Sequence, residues 1–292
     1  MMKLTVLDDN HTYIDQYYLG EPAFSVLIED GDQTILFDTG YSDVVLRNAE
    51  KMGIDLEKLD RIILSHGHID HAQGLKYLAD AVDLTNVELI AGPGTFDPKH
   101  LDGRYLGAPF TLSEISRLMK VTLTDQPLQI SEHVTYAGRI PRTIPFETVR
   151  PVGTVIRDGH EKPDDLAEES ALYLDTADGI FVLTGCSHCG ICNIVDYAQS
   201  VTGCPDVAGI LGGFHLFRTG ERLDRTIEYF MNRQVQELYP CHCVNFKCKA
   251  AIHAVKPIHE VGVGMSLTLE PGKTGHNAGQ SKHDMSQGGV HD

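Results

Sequence analysis

No run of about eighteen apolar residues occurs in this 292-residue chain, which excludes a transmembrane helix. The opening stretch MMKLTVLDDN turns acidic at once and lacks the apolar core of a leader, so a cytoplasmic chain is expected. Basic residues are scarce. Lys and Arg number 24 against 41 Asp and Glu, a formal net charge of −17. Such a surface repels phosphate backbones and anionic lipid heads, so neither a nucleic acid nor a membrane is expected as a partner. Tryptophan is absent, which decides nothing. Disulfides are not expected either: the seven cysteines are an odd number, mostly in two tight clusters, as suits reduced thiols.

What is present suffices for a packed core. Hydrophobic residues make up 42% and charged residues 22%, an ordinary globular composition. Apolar strand-like runs open the chain at 4–7, 24–29 and 34–38, the last two joined by a hairpin turn containing Gly31. A helix is predicted over 42–52, with Ser42 as its N-cap and Gly53 as its stop. A buried strand at 61–65 follows, then a helix at 72–81 and a strand at 87–92. Residues 93–150 are rich in Pro, Gly and Arg, with one helix near 112–119. They read as an insertion or cap over a site. Strands at 171–176 and 179–185, a helix near 190–201, a strand at 209–215, a helix at 221–233 and a strand at 236–243 complete a domain ending near residue 270. Residues 271–292 lack periodicity and large apolar side chains, and a flexible tail is expected there.

The chemistry concentrates in LSHGHIDHAQGL. His66, His68, Asp70 and His71 place four ligand-type residues within six consecutive positions, directly after a strand. Imidazole nitrogens with a carboxylate oxygen suit a borderline-soft divalent ion. Residues two apart in an extended loop point the same way, so His66 and His68 can share one ion. Asp70 and His71, beyond the turn, can reach a second. Gly67 is expected to let the backbone bend between the histidines. Three further histidines follow strand-like runs: His188 in TGCSHCG, His215 in GGFHL and His242 in PCHC. His188 and His242 are expected as ligands. His215 reads better as a substrate-facing acid or hydrogen-bond donor. Asp70 is the second residue expected to act in catalysis.

LSHGHIDHAQGL, with the preceding LFDTG, resembles the signatures of the metallo-β-lactamase superfamily. The resemblance implies a four-layer αββα sandwich, two metal ions at one edge between the sheets, and Asp38 as the carboxylate that orients the metal-binding loop. Zinc is favoured by these ligands, with iron and manganese as alternatives. Many members carry an Asp in T-G-D that bridges the metals. Here the motif is T-G-C, so Cys186 is either a thiolate bridge or a packed thiol. The full set LSHGHIDH, TGCSHCGICN, GGFHL and PCHC, with YAGRIPRTIPFE, is similar to the subgroup of 7,8-dihydropterin-6-methyl-4-(β-D-ribofuranosyl)aminobenzene-5′-phosphate synthases. That similarity spans about residues 3–270.

The expected function is therefore a metal-dependent transferase of the pterin class acting on a small, phosphate-bearing molecule, which Arg139 and Arg142 would grip. The alternative is a metal-dependent hydrolase of a phosphoester or lactone. A flavin-linked di-iron protein would require a Glu where His68 stands, and a nuclease would require a basic channel. A non-catalytic sensor and a homo-oligomer stay open. Cys189, Cys192, Cys241, Cys243 and Cys248 are expected to pack as inert thiols, with an extra metal or iron–sulfur centre as the alternative.

Overall fold

The computed structural model describes residues 1–147 and 150–272. The expected tail, apart from Pro271 and Gly272, lies outside these residues. Two mixed sheets form the centre of the molecule. The seven-stranded sheet runs, edge to edge, through Ser266–Leu269, Met2–Asp8, Ser25–Asp30, Gln33–Phe37, Arg61–Ile63, Glu88–Ala91 and Lys120–Leu123. The six-stranded sheet runs through Glu237–Pro240, Val207–Gly212, Gly179–Thr184, Ala171–Thr176, Val134–Tyr136 and Leu128–Gln129.

Period-two burial explains how these strands stack. Val26 and Ile28 face the other sheet, while Leu27 between them faces outward. In the second sheet Leu172 and Leu174 point inward and Tyr173 points outward. All five are buried, so both faces of each strand are covered. The inner core joins Phe24, Phe37 and Ile63 to Leu183, Leu211 and Tyr239. Helices Val44–Met52 and Gly74–Ala81 cover the first sheet through Val45, Ala49, Leu75 and Leu78. Helices Ile191–Thr202, Glu221–Asn232 and Phe246–Val255 cover the second through Ile194, Leu223, Phe230 and Ile252. The result is the expected αββα sandwich. The hairpin turn falls at Gly31, in the left-handed region at φ 64°. Gly53 closes the first helix at φ 70°. That helix begins at Val44 with Asp43 as its N-cap, one residue after Ser42.

Residues 93–150 correct the reading as one cap. Lys120–Leu123 pairs in parallel with Glu88–Ala91 and extends the first sheet. Val134–Tyr136 pairs with Ala171–Thr176 and sends Val134 and Tyr136 into the inner core. Strands of two to four residues are too short to leave a clear periodic signature. Only Lys99–Leu101 and Arg104–Tyr105 stand apart, in a four-stranded sheet with Thr154–Arg157 and His160–Pro163. The helix in this segment is one turn, Leu112–Ile115, held by a Thr111–Glu114 capping box.

Four parallel strands of the first sheet and three of the second end at the rim that carries the histidines. Asp38 and Ser65–His66 follow two such strands of the first sheet. Cys186, His215 and His242 follow three of the second. Carboxyl ends of parallel strands are where α/β proteins commonly place ligands.

Candidate metal centre

The rim brings the expected ligands into two groups. In the first, His66, His68 and His188 offer ligand atoms all within 4.8 Å of one another. Their rings form a near-regular triangle, with centroids 4.7 Å apart for His66–His68 and 4.9 Å apart for each of the other pairs. In the second, Asp70, His71, Cys186 and His242 converge within the same limit. The groups adjoin, since the His66 and His71 rings lie 4.3 Å apart. His66 thus lies with His68, and Asp70 with His71.

The donor set fits cations. The Nε2 atoms of His66, His68 and His188 are buried and have no hydrogen-bond partner among the described residues. A buried lone pair left so costs on the order of 1–3 kcal/mol. His71 Nε2 lies 3.1 Å from His242 Nε2, 3.2 Å from Cys186 Sγ and 3.7 Å from Asp70 Oδ2. Lone pairs facing one another at that distance are what a cation would reconcile.

Outer partners set the tautomers. Asp38 Oδ1 accepts from the Ser65 amide at 2.7 Å, and Oδ2 accepts from Ser65 Oγ and His71 Nδ1, each at 2.7 Å. Ser65 Oγ in turn accepts from His66 Nδ1 at 2.8 Å. One carboxylate thus aims a histidine of each group, His71 directly and His66 through Ser65. His242 Nδ1 donates to Asn10 Oδ1, and its amide donates to Asp9 Oδ2, both at 3.0 Å. Glu169, fully enclosed, accepts from the amides of His188 and Cys189 at 2.7 and 2.6 Å. Ser65, Asp9, Asn10 and Glu169 are absent from the sequence reading. Asp9 and Asn10, a polar pair directly after a strand, carried a faint signal. Glu169 carried none.

Two glycines permit close approach. A Cβ on Gly67 would lie 2.1 Å from the Thr95 carbonyl oxygen, and one on Gly185 would lie 2.2 Å from Ser65 Oγ. Gly67 has no left-handed backbone, so crowding and not a tight bend is its reason. Asp38, Ser187, His215 and His242 do have left-handed φ, between 48° and 62°. Each costs on the order of 1–3 kcal/mol, and such strain tends to cluster at functional sites.

Charge follows the same division. Burial, then neighbouring imidazoles, push His66 and His188 well below the usual histidine range. Burial holds His68 at about 4. Burial also opposes charge on His71, but Asp70 and Asp38 outweigh it and raise the group. For Asp70 burial is outweighed by His71 and His242, and the carboxyl is held below its usual range. Burial pushes the Cys186 thiol well up. A metal ion would displace that proton.

His215 joins neither group. Its ring lies 4.3 Å from that of His188 and 4.7 Å from that of Phe217, half-buried at the mouth. Burial, then the charge of Arg222, bring it to about 4, so it is neutral near pH 7. Arg142 donates to the carbonyls of Asp165 and Leu166, at 3.0 Å for the second, and Arg139 is exposed. Both line a cavity of about 350 Å³ shared with Glu169 and Cys189. Cys189, Cys192 and Cys248 pack in the outer core of the second sheet and Cys241 in the inner core. Cys243 Sγ donates to the Cys186 carbonyl at 3.4 Å.

A sequence profile of the metallo-beta-lactamase superfamily matches residues 19–183. The chain belongs to that superfamily. Within it, the chain is 33% identical to an uncharacterised protein of Methanocaldococcus jannaschii over 84% of this chain and 91% of that one. It is 28% identical to the 7,8-dihydropterin-6-methyl-4-(beta-D-ribofuranosyl)-aminobenzene-5′-phosphate synthase of the same organism, over 85% of this chain and 89% of that one. Among solved structures it is similar to Tm1679, a metal-dependent hydrolase of the β-lactamase superfamily. There the TM-score is 0.79 and the identity 29%, over 92% of this chain and 100% of the other. As expected of metal-dependent enzymes of this fold, the chain carries its His, Asp and Cys clusters at the sheet rim.

Proposed function

We propose that this protein is a dinuclear-metal transferase of the pterin class, joining a dihydropterin to a phosphate-bearing aminobenzene riboside. The observation that carries the metal reading is the pair of adjoining donor groups with three orphaned Nε2 atoms. The similarity to the synthase supports the substrate. His66, His68 and His188 would hold one ion, and Asp70, His71, His242 and the Cys186 thiolate the other. Zinc suits these donors best. Bound metals would supply electrophilic activation and lower the pKa of bound water.

The chain's own groups have separable tasks. Asp70 stays ionised and orients its neighbours His71 and His242. His215, neutral at the mouth, donates or accepts a hydrogen bond to the substrate. Arg139 and Arg142 are proposed to line the path of the phosphate. A cytoplasmic location is supported by the seven unpaired thiols and by the absence, among the described residues, of any helix long and apolar enough to cross a membrane. Partners are proposed to be small molecules only, with a homo-oligomer left open.

Hydrolysis of a phosphoester or lactone is the second reading, supported by the similarity to Tm1679. Elemental analysis of the purified protein, with assays of the dihydropterin–aminobenzene pair and of simple phosphoesters, separates the two. About two metals per chain with pterin-dependent product is the expected outcome. Two metals with ester turnover alone would replace the transferase by the hydrolase.

A further inference from the structure

Residues 164–170 link the strand His160–Pro163 to Ala171–Thr176 and meet the first donor group at several points. The Ser170 amide donates to the Ser65 carbonyl at 2.8 Å, one residue before His66. Glu169 accepts from the His188 amide at 2.7 Å. Glu168 instead meets Lys99, with its Oε1 2.7 Å from Lys99 Nζ. Asp164 Oδ2 accepts from the same Nζ at 2.9 Å. Arg157 extends the network: its Nη2 stands 3.5 Å from Glu168 Oε2, and its Nε donates to Asp97 Oδ2 at 2.7 Å. Leu166, inside the segment, has a left-handed φ of 52°. That conformation is strained for leucine and persists only where surrounding contacts impose it.

Lys99 lies against the metal-binding loop. A Cβ on Gly67 would lie 3.0 Å from Lys99 Cε, so the lysine stem packs against the residue between His66 and His68. The strand Lys99–Leu101 grips the same loop through backbone. The Lys99 carbonyl accepts from the Leu106 amide, and the Leu106 carbonyl accepts from the Ile69 amide just after His68, each at 2.8 Å. The side chains of Lys99, Asp164 and Glu168 are fully enclosed. Enclosing three charges is a poor source of stability, because desolvation offsets their attraction. An alkyl chain would fill the same volume at less cost. What the ionic contacts add is direction, since they fix where the stem presses on Gly67.

We propose that Lys99, held by Asp164 and Glu168, is a positioning residue that sets the His66–His68 pair against His188. This assignment rests on the reading of these three histidines as one metal group. Lys99 is not among the donors and acts through Gly67 and its own strand. The small four-stranded sheet thereby gains a task, which is to carry a buried lysine to the metal loop. His71 and His242 of the second group are held instead by Asp38, Asp9 and Asn10, none of which belongs to this network. The effect of Lys99 is therefore confined to one of the two ions.

The test is chelator competition on metal-loaded wild type, Lys99→Met and Glu168→Gln, with Tm measured on the same samples. His68→Ala identifies which phase of metal release belongs to the first group. Lys99→Met should weaken binding in that phase roughly 10- to 100-fold and leave the other phase unmoved. Glu168→Gln keeps the shape and leaves Lys99 with Asp164, so it should weaken the same phase less, about threefold. A purely structural role would lower Tm and leave both phases where they are, and that result would overturn the assignment. Equal weakening of both phases would overturn it too. Should Lys99→Met fail to fold, Glu168→Gln decides: selective weakening supports the positioning role and an unmoved first phase removes it. Failure of the metal reading has a different signature, since wild type itself would then release fewer than two metals, and the assignment would fall with it.

Discussion

The two donor groups, a few ångströms apart, are built on opposite electrostatic principles. His66, His68 and His188 are three imidazoles that burial keeps neutral. Asp70, His71, Cys186 and His242 combine an ionised carboxylate, a thiol and two imidazoles. A divalent ion among three neutral ligands keeps its full charge, which favours acidification of a bound water. An ion in the second group would be compensated by Asp70, and further by Cys186 once deprotonated. The difference teaches that one rim can hold a more electrophilic and a more tightly held position side by side. It also means that the two should respond differently to damage.

The largest effects should come from the ligands. His68→Ala and Asp70→Ala should each reduce turnover by at least about a thousandfold with the fold retained. Metal content should fall from two to one, from a different group in each variant. Simultaneous loss of both ions in either variant, read by elemental analysis, would break the distinction between the groups.

Next in size are the outer partners. Asp38→Asn should weaken metal binding by about 10- to 100-fold at both positions, because Asp38 reaches His71 directly and His66 through Ser65. Glu169→Gln should affect mainly the first group, because it holds the His188 loop. Chelator competition curves check both, and a single-phase response in Glu169→Gln matching that of Asp38→Asn would contradict the division. Cys186→Ala then sharpens the second group. If the thiolate is a ligand, metal loading of wild type releases one more proton than loading of the variant, as a pH-stat titration would show. Equal release would make Cys186 a packed thiol.

The smallest effect concerns stability. Asp8, fully buried with both oxygens unpartnered among the described residues, is pushed up to about 10 by burial and then by Glu21. A carboxyl whose folded pKa is raised contributes stability below its unfolded pKa, near 3.8, and loses that contribution as pH rises towards 10. Asp8→Asn, neutral throughout, should therefore gain over wild type as pH rises from 5 to 9. A Tm advantage of a few degrees at the alkaline end is expected. A gain that is flat with pH would show that Asp8 does not bind a proton in the folded state.

Legibility divides along similar lines. The first-motif ligands could be read because they are local: His66, His68, Asp70 and His71 sit within six residues, where backbone geometry alone limits their directions. His188 and His242 were readable because each follows a strand, and strands of one hand and direction end on one rim. Glu169 was not readable, because its two amide partners lie nearly twenty residues away and an interior carboxylate looks like any surface one. Asp9 and Asn10 meet His242 across more than two hundred residues. The short strands within 93–150 were hidden for another reason: two to four residues hold too few alternations, and only a neighbouring strand end fixes their place.

By itself, then, the order of residues determined most of the longer strands and helices, through period-two and helical patterns, and the metal-binding loop, through ligand types at short spacing, while the sandwich was implied by the family resemblance that loop carries. The elements and the loop are consequences of local geometry. Tertiary structure alone decided which histidines share a group and that one carboxylate reaches both groups. These depend on contacts between distant segments, and burial there changes charge, tautomer and hydrogen-bond supply in ways that no spacing along the chain encodes.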